Sequence, residues 1–163
     1  LLAAALPGGP GQMTSADGLL HDQRILVLAT ADPDPWSAPV YFVFLAGRLY
    51  FLSSPRSRHV TAALPARRCA GSIHRDDPDW RAIEGLQLDG VVEEIAEGPE
   101  AARAIAAYLG KFPDVKALVG GEAPDLAAFT ARFGARLYAL VPERAFLVDN
   151  RSGLTGRREI PLP

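Results

Sequence analysis

The sequence predicts a mainly β fold with edge helices (α+β), an antiparallel β-barrel. Stretches rich in β-branched and aromatic residues come in succession, separated by Gly, Pro and Asp turn signals. A single helical excursion interrupts them, and strands resume after it. Strands that alternated with helices would instead build a parallel sheet.

Thr14 and Asp17 mark a helix start, with the acid in the first turn. A short helix through about His21 carries Leu19 and Leu20 inward. Ile25 to Thr30 is an apolar run of strand length, ended by Asp32-Pro33-Asp34-Pro35. Ser37 to Leu45 is β-branched and aromatic. Ala46-Gly47 is a turn signal, and Arg48 to Leu52 returns as the second arm of a hairpin. Ser57 reads as the N-cap of a helix from Arg58 to Leu64. Arg67 to Ile73 is a strand, and His74 to Arg81 a polar loop. Ile83 to Ile95 is a long strand in which Gly90 marks a bulge or bend. Pro99 and Glu100 open a helix with Ala101, Ile105, Tyr108 and Leu109 on its apolar face, and Pro113 closes it. Leu126 to Phe133 is helical and stops before Gly134. Leu137 to Val141 and Ala145 to Val148 are the last two strands.

The 163 residues suit one domain, expected over 14–163 behind a flexible extension, 1–13. Leu1 to Leu6 is apolar but too short to span a membrane, and it lacks the basic flank of a secretory signal. The net charge of -2 argues against whole-molecule attraction to nucleic acid. Cys69 is the single cysteine, so neither an internal disulfide nor a multi-cysteine zinc site can form. It reads as a small buried residue and fits a cytoplasmic location. His21, His59 and His74 have no metal-ligand spacing. No nucleophile elbow, P-loop or dinucleotide glycine pattern is present. Trp36 and Trp80 fall in predicted loops.

One stretch points to anion binding. A strand ends in Ser53-Ser54, and a turn leads into a helix that begins Arg58-His59. A helix N-terminus presents unpaired N–H groups and partial positive charge. A guanidinium there adds a charge-assisted, bidentate donor for phosphate, and Ser53, Ser54 and Ser57 add hydroxyls. The residues alone leave a second reading open, with Ser57 as a cap and Arg58 as a solvated surface group.

Ser37-Ala38-Pro39-Val40-Tyr41-Phe42, Leu49-Tyr50-Phe51-Leu52-Ser53 and Ser57-Arg58-His59, in this order, resemble the pyridoxamine 5'-phosphate oxidase-like, FMN-binding split-barrel superfamily. Glu84 to Gly90 and Val148-Asp149-Asn150 resemble its small bacterial members of unassigned substrate. The resemblance runs from about residue 20 to the end. It implies an antiparallel split β-barrel, FMN as cofactor, and a homodimer with the flavin at the subunit interface. It places the FMN phosphate at Ser53, Ser54, Ser57, Arg58 and His59, where His59 replaces the family's lysine. It sets Pro39, Val40, Tyr41 and Phe42 along the ring. Tyr41 and Phe42 alternate faces, so only one of the two can point there. Gln87 is either a hydrogen-bond partner of the ring or ribityl chain, or an outward polar residue. Arg157 and Arg158 are either a cover for the cofactor or a solvated tail. The implied function is a flavin-dependent oxidoreductase using a nicotinamide electron donor. The alternatives are a flavin- or haem-binding protein for storage or sensing, with His59 as an axial ligand, and a reductase using the deazaflavin F420.

Overall fold

The computed structural model describes residues 15–31, 33–153 and 156–162. The expected extension 1–13, the helix-start residue Thr14 and Asp32 lie outside the described residues. Helix α1 is Ser15–Asp22. Strand β1 is Ile25–Thr30, β2 Trp36–Leu45 and β3 Arg48–Ser53. Helix α2 is Arg58–Ala66, β4 Cys69–His74 and β5 Glu84–Ile95. Helices α3 (Pro99–Lys111), α4 (Pro113–Val119) and α5 (Leu126–Phe133) follow, then β6 (Arg136–Asp149) and β7 (Arg157–Ile160).

Every pairing is antiparallel, in the order β3-β2-β1-β4-β5-β6-β7, and β3 also pairs with β6. That last pairing closes six strands into a barrel, and β7 adds to β6 outside the ring. Closure satisfies backbone groups that an open sheet would leave at its edges. Ala46 and Gly47 both have positive φ, 51° and 77°. A two-residue turn of that kind matches the twist of a hairpin.

Apolar side chains form two cores. Leu26, Leu28, Phe42, Phe51, Ile73, Leu86 and Tyr138 fill the barrel beneath α1 and α2. Val43, Tyr50, Leu137 and Ala139 point out of it and pack against Ile105, Tyr108, Phe112 and Phe129 of the α3–α5 region. The successive apolar residues of β2 and β3 are therefore covered on both faces by one chain.

Three sequence expectations are corrected. The two last strands are one, β6. Asp89 pairs with Arg144 and Gly90 with Pro142, so Glu143 is the extra residue of a bulge. A bulge accepts Pro142, whose missing N–H would otherwise break the ladder. A Cβ on Gly90 would run into the Val141 carbonyl oxygen, so only glycine fits the crossing. Pro113 does not merely close α3: it occupies the first turn of α4, where no N–H partner is needed. Arg157 and Arg158 are not a loose tail but part of β7, paired with β6.

Candidate functional site

Strand β2 has ten residues, yet β3 accompanies only its second half. Their pairing stops at Phe42 opposite Phe51. Along the first half, Trp36 to Tyr41, β2 pairs with β1. The Phe42 N–H donates to the Arg24 carbonyl on the β1 side. Backbone groups alternate sides along a strand, so Ala38 and Val40 also face β1. Ser37 and Pro39 face the other edge, which no strand occupies among the described residues, and Tyr41 sits at its margin, where the pairing with β3 begins. Pro39 suits that edge, because its missing N–H costs no ladder bond there.

Side chains alternate as well. Val40 and Phe42 are buried in the barrel, while Pro39 and Tyr41 are exposed. Of the pair Tyr41 and Phe42, Tyr41 is the outward one. Its ring lies 5.0 Å from that of Phe112, just after α3. Behind them Lys111 reaches across Phe42, with Nζ 4.1 Å from the ring centre and donating to the Leu20 carbonyl at 3.3 Å. Burial lowers the Lys111 pKa to about 8.

Strand β3 diverges from β2 and runs beside β6 to Ser53. The chain then turns through Ser54, Pro55, Arg56 and Ser57 into α2. Ser57 is the N-cap, but its hydroxyl does not cap the helix. It donates to the Ser54 carbonyl at 2.8 Å instead. The backbone N–H groups of Arg58 and His59 are left without partners among the described residues. His59 Nε2 lies 2.8 Å from Ser53 Oγ and 3.2 Å from Ser57 Oγ, and the two hydroxyl oxygens are 3.1 Å apart. Burial holds the imidazole below its ordinary pKa, so it is neutral at neutral pH. The Arg58 guanidinium sits 4.4 Å from the centre of the Trp36 ring. That contact joins the start of α2 to the start of β2.

The structure thus brings Ser53, Ser54, Ser57, Arg58 and His59 into one turn, with Pro39 and Tyr41 exposed on neighbouring β2. Val40 and Phe42 offer a ligand no side chain. Gln87 does not join them. It is exposed on β5, three strand spacings from β2, about 14 Å along the wall. Trp36 and Arg56 also belong beside the turn, a placement the sequence does not show. Pro33 and Pro35 make Trp36 read as loop, and a lone arginine carries no pattern. The arrangement has the chemistry of an anion site: free N–H groups, two exposed guanidiniums and clustered hydroxyls. It opens onto an unpaired backbone edge where a flat group can lie. A cavity of about 490 Å³ lies elsewhere, between α3 and the loop from α4 to α5. Among the described residues, no helix is long and apolar enough to cross a membrane.

No family model and no curated protein matches the sequence. Solved structures do. A haem-binding protein from Mycobacterium smegmatis is 21% identical with a TM-score of 0.67, over 92% of this chain and 59% of that one. This chain therefore spans about three fifths of that protein's length. HutZ, the haem storage protein from Vibrio cholerae, is 18% identical with a TM-score of 0.64, over 80% of this chain and 89% of HutZ. A FAD-binding protein from Mesorhizobium loti is 19% identical with a TM-score of 0.61, over 83% and 93%. With its closed six-stranded antiparallel barrel, the chain has the split-barrel fold of the pyridoxamine 5'-phosphate oxidase-like proteins.

Proposed function

We propose that this protein binds FMN and serves as a flavin-dependent oxidoreductase. One observation carries the reading. The uncapped start of α2, flanked by Arg56 and Arg58, stands beside the open edge of β2. The turn would hold the phosphate, and the exposed backbone of Ser37 to Pro39 would meet the ring's polar rim. A flavin bound there would supply hydride-transfer chemistry, while the protein supplies position and electrostatics. The site has one wall in a single chain. We propose a homodimer in which a second copy provides the other.

Purified protein mixed with FMN should bind it, and NADH or NADPH should bleach the bound flavin's visible absorbance. Binding without bleaching by either donor would leave a cofactor carrier. No binding at micromolar FMN would overturn the reading.

The haem-binding and haem-storage neighbours support a second reading, a flavin- or haem-binding protein for storage or sensing. His59 is a poor axial ligand in this arrangement. Its Nε2 faces two serine hydroxyls, which a haem iron would have to displace. The deazaflavin F420 would use the same turn through its phosphate. The absorption spectrum of the protein as purified separates the three.

A further inference from the structure

The contacts around His59 fix which way their protons run. Ser57 Oγ lies 2.8 Å from the Ser54 carbonyl, which can only accept, so the single Ser57 proton is committed there. Ser57 Oγ is then an acceptor toward both Ser53 and His59. Ser53 also has one hydroxyl proton. If it went to His59 Nε2, two contacts would bring lone pairs together with no proton between them: Ser53 Oγ to Ser57 Oγ at 3.1 Å, and Ser57 Oγ to His59 Nε2 at 3.2 Å. If Nε2 carries the proton, every contact is filled. Nε2–H donates to Ser53 at 2.8 Å and is shared with Ser57; Ser53 donates to Ser57; Ser57 donates to the Ser54 carbonyl.

We propose that His59 is a positioning residue that donates from Nε2 into a hydroxyl chain, so that Ser53 and Ser57 present protons rather than lone pairs to a bound phosphate. This rests on the phosphate-site reading above. In the ligand-free protein the chain runs inward and ends on the Ser54 carbonyl. An arriving anion draws the Ser57 proton outward. The Nε2–H behind it keeps the serine oxygens supplied as acceptors, so their own protons stay free to turn. Further protonation of the ring falls on Nδ1, away from both serines, so the direction of the chain is the same in neutral and charged histidine.

The first test needs no ligand. Imidazole ¹⁵N spectra of the free protein near pH 8 should show His59 protonated on Nε2. A proton on Nδ1 would overturn the proposal while leaving the flavin reading intact. The second test titrates FMN and riboflavin. His59→Leu should weaken FMN about tenfold, the size of one lost hydrogen bond to an ion, and leave riboflavin nearly unchanged. His59→Gln, whose amide can still donate, should recover most of the loss. Equal weakening of both ligands, or no recovery with glutamine, would also overturn the proposal. If wild-type protein binds neither ligand, the flavin reading itself fails, and the spectra still decide the tautomer.

Discussion

Arg58 carries the charge of the proposed phosphate site, and the structure gives it a second contact, the ring of Trp36. The stack holds the planar guanidinium in place before a ligand arrives, which reduces the ordering cost of binding. Arg58→Ala removes a charge-assisted hydrogen bond worth about 1.5–3 kcal/mol. FMN affinity should fall roughly tenfold or more, and riboflavin affinity should stay within error. Parallel fluorescence titrations check this; equal losses for both ligands would place Arg58 in the ring pocket or the fold instead. Lys111 makes a separate prediction. Burial disfavours the charged amine and lowers its pKa to about 8 in the folded protein, from an ordinary value of 10.5. Between those values the unfolded chain binds more protons than the folded one, so this lysine's contribution to stability rises with pH. Below pH 8 the burial penalty is fully present. Urea melts of wild type and Lys111→Met should therefore diverge between pH 8 and 10, with wild type gaining relative to the variant. The raised pKa values of Tyr50 and Tyr108 act on both proteins and cancel in the difference. A difference that stays constant with pH would refute the assignment.

At the scale of elements, the bulge pairing Gly90 with Pro142 bends both long strands of the barrel. Gly90→Ala would drive a methyl group into backbone, which no rotamer change relieves. It should cost roughly 1–3 kcal/mol or more, read as a lower urea midpoint in chemical denaturation. A midpoint within error of wild type would mean that the crossing is loose. Gly90 was legible as a bulge in the sequence because a glycine inside a β-branched run has few other uses. The hairpin, α2 and α5 were legible too, each from turn or cap residues acting within a few positions. What was not legible depends on distant partners. Val141 and Ala145 look like parts of two strands until Asp89 and Gly90 are set opposite them. Arg157 to Ile160 has no strand pattern of its own, and β6 alone makes it one. The site divides the same way. Local rules placed Ser57 and Arg58 at a helix start. The open edge of β2 could not be read, because it depends on where β3 leaves β2.

For the whole molecule, the proposed homodimer needs a wall through which two copies would meet. The apolar outer residues of β2 and β3 give no reason for a partner, since α3–α5 cover Val43 and Tyr50. Among the described residues, no buried apolar cluster joins a helix to the outer face of the wall built from the start of β2 with β1, β4 and the first half of β5. One row across it reads Pro39, Val27, Ser72, Gln87, and the next reads Ser37, Ala29, Ala70, Asp89. Seven of these eight residues are uncharged. Ile25 and Tyr41, paired at its margin, are 39% and 51% exposed. This is the surface we propose for the contact between copies. A two-fold contact uses the same patch on both copies. Centred on β1 and β4, it would lay β5 of one copy beside β2 of the other. Gln87, which cannot reach the phosphate turn of its own chain, would then face the ring position of its partner. Light scattering should accordingly give twice the 17.4 kDa of one chain. Ala29→Arg places a charge in the middle of the wall at an exposed position where the fold tolerates it. That variant should elute as a folded monomer and bind FMN more weakly, although Ala29 lies outside the phosphate turn. A wild-type mass of one chain at working concentration, or an Ala29→Arg dimer with unchanged FMN affinity, would rule out this wall as the interface.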